Sequence, residues 1–531
     1  MMCFSRVKSR KEGMKMDLVL KLGMLLLFFG VMVFVGFYCR RHATDVNGFV
    51  LGGRNVGPWL TAFAYGTSYF SAVVFVGYAG QFGWKYGIAS TWIGLANAFL
   101  GSLLAWAVLG RRTRIMTQHL KSHTMPQFFE TRFDSSALKI LSSAIIFIFL
   151  IPYTASLYNG LSRLFEMAFH VDYAICVIVM AVLTGIYVIA GGYMATAVND
   201  FIQGIIMIVG IVAIVAAVLA SRGGFSASLA QLAAVQDPAV SDTPGIFNSF
   251  FGPDPWNLFG VMILTSLGTW GLPQMIQKFY AIKSEKAITK GMIVSTVFAT
   301  IIAGGCYFLG GFGRLFSDQV DVAKQGYDAI VPAMLSNLSP FLIAVVVVLV
   351  LSASMSTLSS LVLTSSSTLT LDFLKNVRKK EMKEKTQLKL MRVLIAVFIA
   401  ISAVIAIFQY QSGSAFIAQM MGISWGALAG AFLAPFLYGL YWKRTTKAAC
   451  MVNVMFSTIV MILNVTAKQL FPAFLQSPIN AGAFCMLAGM VIVPLVSLLT
   501  PAPDKARVDG IFACYDRVVT VRAKDSIEAD E

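Results

Sequence analysis

Apolar runs of roughly 20 residues recur from one end of the chain to the other, separated by short polar segments in which Lys and Arg collect. A helix rising about 1.5 Å per residue needs about 20 apolar residues to cross the roughly 30 Å of hydrocarbon in a bilayer, and it satisfies its own backbone on the way. The pattern predicts thirteen such spans, at about 17–38, 58–82, 88–110, 136–168, 172–190, 196–220, 256–280, 287–313, 330–374, 390–408, 414–441, 446–467 and 480–500. The predicted fold class is therefore all-α, a polytopic membrane protein. The first run is too long for a signal peptide and lacks a small-residue cleavage pattern, so it is expected to stay as a helix.

Composition agrees with lipid as the solvent: 57% of the residues are hydrophobic and 12% charged, an apolar excess that one soluble core does not need. The net charge of +16 lies in connecting loops rather than on one amphipathic face, which points to membrane topology and away from nucleic acid. One set of loops holds Arg40, Arg41, Arg54, Arg111, Arg112, Arg114, Lys121, Arg132, Lys283, Lys286, Lys290, the run Lys375 to Arg392, Lys443, Arg444 and Lys447. The other set has little beyond Lys85, Arg222, Arg314, Lys324 and Lys468. The positive-inside rule puts the first set in the cytoplasm, giving a multi-pass protein of the plasma (inner) membrane with its N-terminus outside and its C-terminus inside. Arg6, Lys8, Arg10, Lys11 and Lys15 oppose that orientation, a conflict that translation from Met14 or Met16 would largely remove. Cys3, Cys39, Cys176, Cys306, Cys450, Cys485 and Cys514 show no CxxC spacing, and His42, His119, His123 and His170 have no metal-ligand spacing, so neither disulfides nor a transition-metal site is expected.

Two spans are interrupted. Ala64 to Ser71 (AYGTSYFS) breaks the second and Leu267 to Gln274 (LGTWGLPQ) the seventh, each with a Gly-Thr and each opening a set of five spans. Breaks at matching places are the sequence signature of an inverted-repeat transporter, whose half-helix ends offer free N–H and C=O groups near the bilayer midplane. The alternative is close packing at the glycines and an ordinary kink at Pro273. The break residues Gly66, Ser68, Ser71, Thr269, Trp270 and Gln274, with Thr265 just ahead of the second break, are the candidate solute contacts.

The ninth span carries the run Leu351 to Ser360 (LSASMSTLSS) and then Thr364 to Thr368. Ala353, Ser356 and Thr357 stand at i, i+3 and i+4 and share one helical face, where two hydroxyls and a carbonyl can point at one spot. A dehydrated sodium ion is a hard cation that wants several oxygen ligands, and carbonyls at an unwound Thr67 and Phe70 would supply the rest. The competing reading is back-bonding of Ser and Thr to their own helix. Proton coupling would call for a carboxylate or histidine held within the membrane, and the middle of the spans has almost none, which favours sodium. Asp200 is expected at the cytoplasmic start of the sixth span, and Arg163 with Glu166 near the outer end of the fourth.

With these motifs in view, the chain resembles the sodium:solute symporter family along nearly its whole length. The resemblance is carried by Phe49-Val50-Leu51-Gly52-Gly53-Arg54, by Gly191-Gly192-Tyr193 through Val198-Asn199-Asp200 and Gln203, by Gly271-Leu272-Pro273-Gln274 with Lys278 and Ala281-Ile282-Lys283, and by Met355-Ser356-Thr357-Leu358-Ser359. It implies a core of five plus five inverted-repeat helices with broken first and sixth members, one helix ahead of them and two after. It further implies backbone carbonyls of Thr67, Phe70 and Ala353 and hydroxyls of Ser356 and Thr357 as sodium ligands, with Asp200 on the inward ion-release route. A helix N-cap or first-turn acid is the other reading of Asp200. Trp270 matches an aromatic position of the family, whereas Thr265 and Thr269 stand where proline symporters carry aromatic residues.

The expected organisation is a basic segment (1–16), an extra N-terminal helix (17–38), a first repeat (58–220), an extracellular loop (221–255), a second repeat (256–441), two additional helices (446–500) and a cytoplasmic tail (501–531). The expected function is sodium-coupled symport of a small organic solute, foremost an amino acid such as proline, with pantothenate, a monocarboxylate or a sugar as alternatives. Sodium is the coupling ion, no cofactor is expected, and the partners are solute, sodium and lipid, with no nucleic acid and no obligate protein partner. A membrane enzyme would show a clustered Asp, His or metal constellation, and a sensor would continue into a signalling domain, which a tail of this length is too short to hold.

Overall fold

The computed structural model describes the backbone of residues 2–169, 171–378, 382–412 and 417–516, and the side chains there except those before residue 19 and at Leu20, Arg163, Met167 and Arg378. The basic side chains of the N-terminal segment, Arg163, His170, Lys379 and Lys380, and the tail beyond residue 516 thus lie outside the described residues.

Helices account for nearly all of the description. They include α1 (Met2–Cys39), α2 (Pro58–Tyr69), α3 (residues 73–86), α4 (residues 91–119), α5 (Ser136–Phe169), α6 (Tyr173–Ser221) and α7 (Phe225–Ala234). They continue as α8 (Pro255–Leu267), α9 (Pro273–Ala281), α10 (Glu285–Gly310), α11 (Pro340–Thr368), α12 (Glu384–Gln411), α13 (Ile417–Tyr441), α14 (Lys447–Thr466), α15 (Pro478–Leu499) and α16 (Lys505–Phe512). Their starts follow local chemistry. Asp254, Ser284, Ser339 and Thr446 accept backbone N–H groups as N-caps, and Pro255, Pro273, Pro340 and Pro478 occupy first-turn positions where no N–H is needed.

Among the described residues, 11 helical segments are long and apolar enough to cross a membrane, against the thirteen spans expected. The difference has two sources. The expected spans at 172–190 and 196–220 run together as the 49-residue α6, which bends at Gly192 with φ 55° and ψ −145°. The expected span at 58–82 is divided after Tyr69, leaving the 12-residue α2 too short to count, while α3 runs on with α4.

The core is helix on helix. α11 lies between α6, α5 and α2, α10 packs on α2 and α4, and α13 packs on α5 and α15. Close approach is made by glycine pairs: a Cβ on Gly83 would sit 1.9 Å from the Gly310 carbonyl oxygen, so α3 and α10 touch backbone to backbone.

Loop contacts sort into two sets. Arg314 binds the Trp84 carbonyl and Asp237, and Arg222 pairs with Asp318, which joins the sparsely charged loops. Arg54 donates to carbonyls of Thr117, Ser122 and Tyr280, Arg114 to those of Ile282 and Lys283, Arg112 to that of Leu440, and Lys443 pairs with Asp509, which joins the basic loops. The segment expected as an extracellular loop contains α7 and packs Phe247 at zero exposure beneath it.

Candidate ion and solute site

The first break falls at Phe70 and Ser71, three residues beyond the Gly-Thr at which the sequence suggested it. Gly66 and Thr67 are still helical, because the Phe70 N–H closes the last turn on the Gly66 carbonyl at 3.1 Å. The carbonyls that follow Gly66 are the orphans every helix C-terminus leaves, and they carry the negative end of the helix dipole. Ser71 then starts α3, its hydroxyl accepting the Val73 N–H at 3.2 Å and its carbonyl the N–H groups of Val74 and Phe75. At the second break, Gly268 turns a single 3-10 turn through Trp270, and Pro273 opens α9 after Leu272 adopts an extended conformation.

α11 brings its hydroxyls to the first break. Ser356 Oγ lies 3.2 Å from the Thr67 carbonyl oxygen and 3.2 Å from that of Ala353. Thr357 Oγ1 lies 3.1 Å from each of the same two oxygens. All four residues are at 2% exposure or less. Each hydroxyl thus has two carbonyl acceptors, so its proton can rest on one while its lone pairs turn toward a cation. The expected set Thr67, Ala353, Ser356 and Thr357 therefore meets in one place. Phe70 adjoins it as the C-cap of α2, its ring against Tyr69 and Phe298.

Other serines of α11 bond back to their own helix, as the competing reading of the run expects. Ser352 bonds the Val348 carbonyl, Ser359 that of Ser356, Ser366 that of Leu363 and Ser367 that of Thr364, all within the helix. Ser356, Ser360 and Thr364 repeat every four residues and face the broken helices. Ser360 shares a hydrogen bond of 2.8 Å with Ser68, and Thr364 donates to Gln277 Oε1 at 2.8 Å.

Two ionisable side chains stand inside spans whose middle was expected to hold almost no carboxylate or histidine. Lys278 Nζ, on α9, donates to Ser360 at 2.9 Å, sits 5.2 Å from the Tyr193 ring centre and lies 3.9 Å from an Asp200 carboxylate oxygen. Both side chains are fully buried, at 2% and 0% exposure. Asp200 is eight residues inside the second arm of α6 and caps nothing, since neither of its oxygens has a hydrogen-bond partner. A chain Asp200, Lys278, Ser360, Ser68 therefore ends one residue from Thr67, whose carbonyl faces Ser356 and Thr357. The sequence held a signal for it: an ionisable residue inside a span marks function by default.

The expected solute contacts do not all line one space. A Cβ on Gly66 would fall 2.4 Å from the Phe298 ring, so Gly66 is a packing position. Ser71 caps α3, Thr265 bonds back to Val261 and Thr269 to Gly101 and Ser266, and the Trp270 indole donates to the Leu100 carbonyl at 2.9 Å. Gln274 alone has both amide atoms buried and unpartnered. The aromatic wall comes instead from residues the sequence did not single out. Tyr69 stacks on Trp425 at 5.6 Å, Tyr153 meets Trp425 edge-on at 5.9 Å, and the Tyr69 hydroxyl donates to the Thr265 carbonyl at 2.6 Å. Trp425 lies directly over Gly268 of the second break, and its buried indole N–H and the buried Tyr153 hydroxyl lie within reach of one another.

The family model of the Sodium:solute symporter family matches residues 49–457. The chain belongs to that family. Among curated relatives, the osmoregulated proline transporter OpuE of Bacillus subtilis (strain 168) is 27% identical over 497 residues, 93% of this chain and 97% of that protein. The sodium/proline symporter of Staphylococcus aureus (strain JH9) is 29% identical over 447 residues, 83% of this chain and 85% of that protein. Among solved structures, a Na+-coupled sialic acid symporter in a substrate-bound outward-open state superposes with a TM-score of 0.72 at 16% identity, over 91% of this chain and 98% of that one, and shares its fold. Family membership makes this symporter a transport protein and not an enzyme.

Proposed function

We propose that this symporter imports proline together with sodium, by alternating access, through the plasma membrane. The observation that carries the coupling is the pair of hydroxyls on Ser356 and Thr357 set against the Thr67 carbonyl at the dipole-negative end of α2. In this reading Thr67, Phe70 and Ala353 give carbonyl oxygens and Ser356 and Thr357 give hydroxyls to one sodium ion, enough neutral oxygen to replace its water. Binding the ion ties α11 to the broken helix, so occupancy and conformation become one equilibrium. Asp200, held beside Lys278, supplies the negative charge on the inward release route.

Proline is supported by the two curated relatives and by the aromatic wall of Tyr69, Tyr153 and Trp425, on which a small apolar ring can stack while the unpartnered amide of Gln274 takes up the polar end. Magnitudes permit the work: one cation driven inward by about 100 mV supplies about 2.3 kcal/mol, roughly fortyfold accumulation before its own gradient is counted. In this orientation the basic loops face the cytoplasm and the N-terminus lies outside. The deciding experiment is uptake of radiolabelled proline into proteoliposomes. Uptake should rise when an inward sodium gradient is imposed and fall when potassium replaces sodium. Proline uptake indifferent to sodium would overturn the coupling, and sodium-dependent uptake of a sugar or pantothenate but not proline would overturn the substrate.

A further inference from the structure

A cavity of about 730 Å³ opens where the C-terminal end of α1 meets the first turns of α12, on the face of the molecule that carries the basic loops. Its rim holds four cations, Arg40, Lys385, Lys389 and Arg392, and among the described residues no carboxylate lines it. Lys385, Lys389 and Arg392 stand at i, i+4 and i+7, so one face of α12 presents all three. Glu384, which precedes Lys385, accepts the Val46 N–H at 2.9 Å. Arg392 donates one nitrogen to the Ala43 carbonyl at 3.3 Å while its Nε is buried and unpartnered, and Arg40 beside it adds like-charge repulsion. Such a cluster is unfavourable by itself, and an anion with several oxygens relieves it.

The helix above the cluster says what the anion is attached to. Val393 and Val397 line the cavity, and the apolar stripe continues along α12 through Ile401, Val404 and Phe408, exposed by 50%, 42%, 37%, 65% and 69% in turn. From Val393 to Phe408 the helix rises about 22 Å, more than the depth of one leaflet's hydrocarbon. A free phosphate needs the cations and has no use for the stripe, whereas a phospholipid uses both. We propose that this groove binds an anionic phospholipid, its phosphate among Arg40, Lys385, Lys389 and Arg392 and its acyl chains along α12. Because the groove lies between the end of α1 and α12, the lipid ties the leading helix to α12.

The test uses the full-length protein in detergent with phosphatidylglycerol, phosphatidylcholine or glycerol phosphate added, read by thermal unfolding and by native mass spectrometry of retained lipid. Phosphatidylglycerol should raise the melting temperature and stay bound, and phosphatidylcholine should do neither. The variant Lys385→Gln/Lys389→Gln should weaken retention about thirtyfold, at about 1 kcal/mol for each of the two surface cations. Lys286→Gln/Lys290→Gln, two exposed lysines on another helix, should retain the lipid as the unaltered protein does. Equal retention in both variants, equal stabilisation by phosphatidylcholine, or full stabilisation by glycerol phosphate alone would each overturn the proposal. Both test variants change solvent-exposed side chains, so folding is preserved, and a melting temperature without added lipid equal to that of the unaltered protein verifies it.

Discussion

Ser352 and Ser356 are one turn apart on the same helix and do different work, because only the second reaches a foreign carbonyl. Ser356→Ala and Thr357→Ala should each raise the sodium concentration for half-maximal uptake about tenfold, the equivalent of about 1.4 kcal/mol, without loss of expression. Ser352→Ala, which removes only a bond to Val348, should leave it unchanged. The measurement is uptake against sodium concentration, and equal behaviour of all three would remove the proposed ion site. Lys278 makes a second residue-level case. Lys278→Met strands the Asp200 carboxylate in a buried setting and should destabilise the protein by about 3–5 kcal/mol, seen as a lower thermal midpoint. Adding Asp200→Asn should restore most of that loss, and a double variant no better than the single one would show that the pair is not coupled. The i, i+3, i+4 spacing of Ala353, Ser356 and Thr357 was readable in the chain. That Ser360 binds Ser68 and Lys278 was not, since it depends on where α2 and α9 lie relative to α11.

At the scale of elements, the breaks and bends are where backbone chemistry overrides the hydropathy pattern. Glycine and proline at Gly268, Gly271 and Pro273 made the second break legible in place. The first was legible only within a few residues, because Phe70 and Ser71 have no special backbone freedom and are held open by the cap at Ser71 and by tertiary contact. Gly192 is the opposite case: its φ of 55° and a carbonyl of Phe49 2.7 Å from where a Cβ would stand leave room for glycine alone. Gly192→Ala should therefore cost about 1–3 kcal/mol, read as a drop in thermal midpoint in detergent. Gly304→Ala, at a helical glycine with nothing within 4 Å, should be neutral or slightly stabilising. Equal effects at the two positions would mean that α6 does not need its bend.

For the whole molecule, the division of loops into a basic set and a sparse set gives an expectation about sides. A membrane-impermeant maleimide should label Asp242→Cys on intact cells and Lys286→Cys only on inside-out vesicles, with the reverse pattern overturning the orientation. Sequence alone determined that the chain is a bundle of apolar helices, where most of them begin, and which family it joins, because length, hydropathy and capping are local and lipid leaves the backbone no alternative to the helix. Tertiary structure alone decided which hydroxyls face a foreign carbonyl and which bond home, that Asp200 and Lys278 meet, and that Trp425 from a distant helix closes the aromatic wall over Gly268. Those outcomes depend on the rotation and approach of helices separated by up to hundreds of residues, and a one-dimensional pattern with a period of about 3.6 residues carries no record of either.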